Sequence, residues 1–220
     1  MKVTLLASTP NATKLVATAA WICTHQDFPT KADLHPDKCG PLVQRVIGYK
    51  HLSILEHASF TFAIEGISRA CSHQLTRYRH ASFSMQSQRY VSAENAEFIC
   101  PESIKENNDS FSAVEVFQDA IALAETSYDL LLSKGISPED ARFVLPNATA
   151  TKLVMTMNAR ALRHLFAQRL CKQAQWEIRE LAEAIHAICI DKAPILFEGS
   201  GPDCKNCEEK NSCQNKTTQS

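Results

Sequence analysis

The sequence contains few glycines and no long apolar run, and each absence excludes a class of protein. Its six glycines form no G-x-G-x-x-G arrangement, so a flavin or nicotinamide would bind outside a Rossmann framework. No apolar stretch approaches the ~18–20 residues that span a bilayer, and the first residues lack the pattern of a secretory signal. We therefore expect a cytoplasmic protein with no membrane partner.

An excess of charge of either sign is also missing. The 220 residues carry 23 Lys and Arg against 24 Asp and Glu, a formal net charge of -1, which argues against a protein-wide electrostatic footprint for nucleic acid. The nine cysteines lack the dense spacing of a secreted disulfide scaffold. We expect buried, reduced thiols at Cys23, Cys39, Cys71, Cys100, Cys171 and Cys189. The chain is long enough to bury a core without disulfides.

Hydrophobic periodicity predicts an α+β fold with a small, mostly antiparallel sheet and several long helices in a single domain. The clearest strand is 59–67, where Phe60, Phe62 and Ile64 alternate with polar residues. Further strands are predicted at 2–7 and 149–157, and 27–41 is predicted as a surface connection. Helices are predicted at 12–23, 42–50, 68–77, 111–132 (capped by Asn108, Asp109 and Ser110), 159–170 and 174–190, with a short one after Ser137. The domain is predicted to cover 1–198, followed by a polar, cysteine-containing tail, 199–220.

Acidic residues are missing between Glu65 and Glu94, although this window is rich in cations. Its strong bases are all arginines, without a single lysine, and serines and glutamines add neutral donors. This combination predicts a local phosphate site in which 77–89 is a loop wrapped around the ligand. The alternative is a solvated basic face, which usually mixes both signs and uses lysine freely. The basic residues are Arg69, His73, Arg77, Arg79, His80 and Arg89.

A second window without acids covers 143–176. In the predicted helix 159–170, Arg169 falls on the apolar face, so we expect it to be buried. A buried guanidinium without a partner costs several kcal/mol, so it must meet an anionic ligand, a polarised carbonyl or a carboxylate. Glu177 and Glu56 are the candidate carboxylates for a structural ion pair.

Two smaller clusters raise the question of a metal. His51, Ser53, Glu56 and His57 precede the strand, but the five-residue spacing of His51 and Glu56 is poor for two ligands on a helix. We expect hydrogen-bonding roles, or simply partly buried histidines. Cys204, Cys207 and Cys213 are one thiolate short of a structural zinc site, which Cys39 or water could complete. A flexible, reduced terminus is the alternative, and we predict no metal.

Five ordered motifs in this chain resemble those of the flavin-dependent thymidylate synthases. The family signature, Arg-His-Arg followed by seven residues and Ser, is similar to Arg77-Tyr78-Arg79 followed by Ser87. The other motifs lie at 55–62, 141–146, 157–161 and 174–178, and the resemblance covers about residues 40–198. Tyr78 replaces the motif histidine, which keeps an aromatic ring but removes a group that titrates near neutral pH.

The resemblance implies an enzyme that makes dTMP by reductive methylation of dUMP, with methylenetetrahydrofolate as carbon donor and NADPH as reductant through FAD. It also implies a homotetramer whose subunits share active sites. Ser87 and Arg89 would hold the dUMP phosphate, and Arg169, the catalytic residue, would face the uracil ring. The implied dUMP residues are Gln74, Arg77, Gln86, Ser87, Gln88, Arg89, Arg142 and Arg169. The implied FAD residues are His51, Ser53, Arg77, Tyr78, Arg79, His80, Met85, Asn158, Arg160 and His164.

Two other functions fit parts of the sequence. A non-catalytic nucleotide-binding or RNA-binding module could use the same basic window. A thymidylate synthase with a cysteine nucleophile is the other alternative, but no cysteine has an activating setting that the sequence can show. Flavin absorbance would distinguish the FAD enzyme from a colourless RNA-binding module.

Overall fold

The structure, a computed structural model, describes residues 1–93, 96–107, 112–204 and 213. Four strands of this part form one antiparallel sheet in the order β1-β2-β4-β3, which confirms the predicted fold class. The strands are β1 (Lys2–Ser8), β2 (Ser59–Ser68), β3 (Ala81–Met85) and β4 (Ala150–Asn158). The helices are α1 (Ala12–Ile22), α2 (Pro36–Gly48), α3 (Arg69–Leu75), α4 (Glu102–Lys105), α5 (Ala113–Ser133), α6 (Pro138–Ala141), α7 (Ala159–Arg169), α8 (Trp176–Lys192) and α9 (Pro194–Phe197), and 3-10 helices cover Leu52–His57 and Arg142–Val144.

Strand β2 has the alternation that the sequence predicts. Phe60, Phe62 and Ile64 are almost completely buried on one face. The register with β4 is marked by Thr61 and Thr156, whose hydroxyl groups are 2.9 Å apart in a cross-strand hydrogen bond. Burial of one face fixes this register, because a slip of one residue would move every apolar side chain to the other face.

The chain divides into two compact units, and each of the four strands contains residues of both. The α5 unit comprises Met1–Lys2, Ile64–Arg77 and Phe83–Val154. The α7 unit comprises Val3–Ala63, Tyr78–Ser82 and Met155–Ser220. The fold is a single domain, as predicted. The boundary of the predicted tail at residue 199 stays a prediction.

The core of the α7 unit forms where α7, α8 and α9 pack together. The ring of Phe197 lies edge-on to Phe60 at 5.2 Å and to Phe166 at 5.9 Å between centroids. Edge-to-face pairs add to the stabilisation from area burial. This cluster anchors α7, which carries several of the predicted site residues.

Helix α5 is the least buried long helix of the described chain. It begins after Ser112, whose hydroxyl accepts from the Glu115 amide at 3.4 Å, so the cap lies beyond Asn108, Asp109 and Ser110, which are outside the described residues. Only Tyr128 of α5 is buried. Val116, Leu123 and Leu130 are spaced by seven residues and remain 53%, 69% and 55% exposed. These three residues form an apolar stripe on α5 that is more than half exposed among the described residues.

Two sequence-based predictions of local structure are wrong. Residues 81–85 form the strand β3, not part of a ligand-wrapping loop. Helix α2 begins at Pro36, so the last six residues of the predicted connection 27–41 are helical. Proline at the first position and Asp37 in the first turn favour this start. No helix among the described residues is long and apolar enough to cross a membrane.

Candidate active site

In the α5 unit, the segment that follows β3 is held at its first residue. The amide of Gln86 donates to the carbonyl of Lys152 at 3.0 Å, and the carbonyl of Gln86 accepts from Nη2 of Arg69 at 2.9 Å. The chain then turns, with the Arg89 amide donating to Oγ of Ser87 at 3.2 Å. Both peptide groups of Gln86 are therefore fixed at the start of the predicted phosphate segment.

Glu139 brings two predicted dUMP residues together in the same unit. Its carboxylate forms a 2.8 Å salt bridge with Nε of Arg89, and both side chains are 47% exposed. Its backbone carbonyl accepts from Nε of Arg142 at 2.9 Å. An ion pair this exposed contributes little to stability, but it orients Arg89, while the backbone carbonyl of Glu139 holds Arg142. An anionic ligand can compete with the carboxylate for the same guanidinium.

Helix α3 carries Gln74 and leads to Arg77, two further predicted dUMP residues of this unit, whereas Gln88 follows β3 and is partly exposed. It begins with the hydroxyl of Ser68 accepting from the Cys71 amide at 3.0 Å, which is a serine N-cap. Gln74 lies in the last turn and is partly exposed, and Arg77 follows the helix and is exposed. Within Arg77-Tyr78-Arg79, Arg77 belongs to the α5 unit, whereas Tyr78 and Arg79 belong to the α7 unit.

In the α7 unit, Tyr78 contacts the predicted catalytic arginine. Its hydroxyl accepts from Nε of Arg169 at 3.1 Å and donates to Oε1 of Gln168 at 2.7 Å. The guanidinium carbon of Arg169 also lies 5.7 Å from the centre of the Tyr78 ring, within cation–π range. Burial raises the pKa of Tyr78, and the charge of Arg169 opposes that rise. The phenol is therefore a neutral group that orients the guanidinium through Nε.

The predicted FAD residues of the α7 unit surround this pair only in part. His164 lies edge-on to the Tyr78 ring, with centroids 6.2 Å apart. Asn158 caps α7 through Oδ1, which accepts from the Ala161 amide at 2.8 Å, and Arg160 forms a salt bridge with Glu56. The predicted FAD residues His51, Ser53, Arg79 and His80 are exposed. Met85, which belongs to the α5 unit, is 39% exposed at the end of β3.

The burial of three residues differs from the sequence-based predictions. Arg169 is partly exposed, because it is the last residue of α7 and packs on the Tyr78 ring instead of the apolar core. Glu56, one of its candidate partners, pairs with Arg160. His51 and His57 are both exposed, so neither is the partly buried histidine considered above.

The described residues contain no group of three or more His, Cys, Asp or Glu side chains that could hold a metal ion. Cys204 is exposed and unbonded to another cysteine, whereas Cys207 lies outside the described residues. Cys39, proposed above as a fourth ligand, is a buried free thiol. The absence of a metal ion from the tail therefore stays a prediction.

Three contacting residues are absent from the dUMP and FAD sets that the resemblance implies. Arg69 lies in the acid-free window, so that window carried a signal for it. Neither Glu139 nor Gln168 carried a signal for the site. Their partners are 17, 50 and 90 residues away along the chain, respectively. Because the partners are so far apart along the chain, only the folded structure shows these contacts.

The geometry defines a class of protein first: an α+β protein with exposed arginines and neutral side-chain donors, groups that suit phosphate oxygens. The family model described as thymidylate synthase complementing protein matches residues 4–195. The chain belongs to this family of flavin-dependent thymidylate synthases, as its motifs predicted.

Curated relatives and solved structures agree with this assignment. The flavin-dependent thymidylate synthase of Geobacter sulfurreducens is 43% identical over 208 residues, which is 93% of this chain and 88% of the relative. That of Pyrococcus abyssi is 44% identical over 188 residues, 83% of this chain and 76% of the relative. The Helicobacter pylori ThyX structure, complexed with FAD and dUMP, has a TM-score of 0.73 and 29% identity over 91% of this chain and all of that chain. The UMP/dUMP methylase PolB from Streptomyces cacaoi, bound with 5-Br dUMP, has a TM-score of 0.77 and 26% identity over 90% of this chain and 93% of that chain.

Proposed function

We propose that this chain makes dTMP by reductive methylation of dUMP, with methylenetetrahydrofolate as carbon donor and NADPH as reductant through FAD. The observation that carries the proposal is the family match over residues 4–195, within which all the proposed site residues fall. As a member of this family, the protein is an FAD-dependent enzyme.

The dUMP phosphate is assigned to Ser87 and Arg89, with Arg142 beside them. The turn at Ser87 and the contacts of Arg89 and Arg142 with Glu139 support this assignment. Planar guanidinium groups suit phosphate oxygens, and two of them together give strong, directional hydrogen bonds. Gln74, Arg77, Gln86 and Gln88 complete the proposed dUMP set as neutral or positive donors.

Arg169 is assigned to the uracil ring as the catalytic residue. Its Nε is engaged by Tyr78, which leaves the two terminal nitrogens of the guanidinium for the substrate. Donors fixed in advance stabilise charge as it develops, because they need no reorganisation in the transition state. We propose that they favour negative charge at N3 and O4 of uracil.

The residues assigned to FAD fit an anionic dinucleotide by their chemistry. Imidazole, hydroxyl and guanidinium donors from His51, Ser53, Arg79 and His80 are exposed, so a diphosphate could reach them. When bound, FAD supplies the hydride that reduces the transferred carbon. Tyr78 and His164 present aromatic edges near Arg169, while Arg77, Met85, Asn158 and Arg160 complete the proposed set.

A homotetramer with active sites shared between subunits is proposed as the working assembly. The exposed apolar stripe on α5, formed by Val116, Leu123 and Leu130, supports a further subunit as its partner. We also propose a cytoplasmic location, without nucleic-acid or membrane partners. The free state of the described cysteines, which persists in a reducing compartment, supports that location.

Stepwise absorption spectra of the purified protein test the function. The protein should show flavin bands, which NADPH should bleach faster when dUMP is present, and methylenetetrahydrofolate should then yield dTMP. UMP, tested beside dUMP, should give less product. A colourless protein that binds RNA would instead support the non-catalytic alternative.

A further inference from the structure

Arg69 is a half-buried cation to which neither the motifs nor the proposed mechanism assigns a role. It is the first residue of α3, and its amide donates to the carbonyl of Thr149 at 2.9 Å. Nη2 donates to the carbonyl of Gln86 at 2.9 Å. Its Nε is buried without a hydrogen-bond partner among the described residues, and no carboxylate in that part of the chain forms a salt bridge with it. A buried donor left in this state costs about 1–3 kcal/mol.

The charge of Arg69 faces another positive charge. Burial lowers the pKa of its guanidinium, and the charge of Arg142 lowers it further. Two like charges in a partly dehydrated setting repel each other, and the repulsion falls when an anion binds between or beside them. An arginine that served only to cap the Gln86 carbonyl would be more stable without this neighbour.

The hydrogen bond to Gln86 also sets the direction of the next amide. In a trans peptide the C=O and N–H groups point in opposite directions. Because Arg69 holds the carbonyl of Gln86, the N–H of Ser87 points away from Arg69. The Lys152 carbonyl fixes the peptide on the other side of Gln86. Arg69 therefore orients the first residues of the phosphate segment before any ligand arrives.

We infer that Arg69 is a positioning residue for the nucleotide phosphate: it fixes the Gln86–Ser87 peptide and holds a second positive charge beside Arg142. This inference rests on the proposed function, since it takes the phosphate segment to bind dUMP. Arg69 need not touch the phosphate. Its effect is exerted through the orientation of Ser87 and through the local potential.

The test compares dUMP with deoxyuridine, which lacks the phosphate, in calorimetric titrations of FAD-loaded protein. Arg69→Gln removes the charge but keeps a polar side chain, whereas Arg69→Lys keeps the charge. We expect Arg69→Gln to weaken dUMP binding by about 10- to 100-fold, the range for a hydrogen bond to a charged group. Deoxyuridine binding should change only slightly, and Arg69→Lys should recover a large part of the dUMP affinity.

Lys105→Gln is the matched control, because it removes one exposed positive charge from the same unit and should leave both affinities unchanged. Equal losses for dUMP and deoxyuridine in Arg69→Gln would overturn the inference, as would a lower melting temperature with unchanged selectivity for dUMP. If Arg69→Gln fails to fold, Arg69→Lys is the test of the role of charge. That role would be contradicted if Arg69→Lys lost as much selectivity for dUMP over deoxyuridine as an Arg89→Gln reference variant does. Wild-type protein that binds FAD but not dUMP would overturn the proposed function itself.

Discussion

Tyr78→Phe removes one oxygen atom and leaves the ring that packs against Arg169. The lost hydroxyl is the acceptor for Nε of Arg169 at 3.1 Å and the donor to Gln168 at 2.7 Å. The cation–π contact at 5.7 Å and the edge contact with His164 should remain. The variant therefore separates the orientation of Arg169 from the shape of the aromatic site.

A hydrogen bond to a charged group contributes about 1.5–3 kcal/mol. If that energy holds Arg169 in its productive orientation, kcat for dTMP formation should fall by about 10- to 100-fold. FAD content should stay close to that of the wild type, because the ring contacts persist. Tyr49→Phe is the matched control: it removes the same atom from an exposed tyrosine of the same unit and should not change kcat.

The assay is steady-state dTMP formation at saturating dUMP, with flavin absorbance measured on each preparation. An unchanged kcat in Tyr78→Phe would refute the orienting role of the hydroxyl. A loss of FAD without a change in kcat per bound flavin would assign Tyr78 to cofactor binding alone. Tyr78→His should be tolerated, because histidine keeps an aromatic ring and a hydrogen-bonding group.

Three further predictions concern turnover, pH and assembly. Arg169→Ala should lower turnover, and Ser87→Ala should chiefly raise the dissociation constant for dUMP. Both effects are measured by dUMP-dependent NADPH oxidation. An undiminished rate of NADPH oxidation in Arg169→Ala would contradict the catalytic role of Arg169. Burial, and then the charge of Arg163, lower the pKa of His186, so the unfolded state takes up a proton at higher pH than the folded state does, and the melting temperature should fall as pH drops below 6.5. His186→Gln should make the melting temperature less dependent on pH. An equally steep pH dependence in that variant would exclude His186 as the cause. Leu123→Glu should reduce the oligomer measured by analytical ultracentrifugation, since it places a charge in the apolar stripe on α5; an unchanged oligomer would exclude α5 as an interface.

The sequence predicted the parts of the fold that depend on local periodicity. The alternation of Phe60, Phe62 and Ile64 identified β2 because one face of that strand is buried. Strand β3 was missed because residues 81–85 lack a comparable pattern of burial. Its pairing at the sheet edge is a long-range interaction, which periodicity does not report.

For the site, too, the sequence predicted individual residues but not the contacts between residues that are far apart along the chain. The motifs identified Tyr78 and Arg169 separately, but their contact joins residues 91 positions apart. Helical phase predicted that Arg169 is buried with the apolar face of α7, but at the end of the helix the side chain is partly exposed and lies on a tyrosine ring. For Arg69, the acid-free window indicated a local excess of positive charge, but only the fold shows that it holds the carbonyl of Gln86.

Product analysis tests the central claim most directly. Purified protein incubated with dUMP, NADPH and methylenetetrahydrofolate should form dTMP, detected by chromatography with mass spectrometry, in proportion to its bound flavin. Omission of methylenetetrahydrofolate should abolish dTMP while NADPH oxidation continues. Flavin-loaded protein that forms no dTMP with all three co-substrates present would contradict the account.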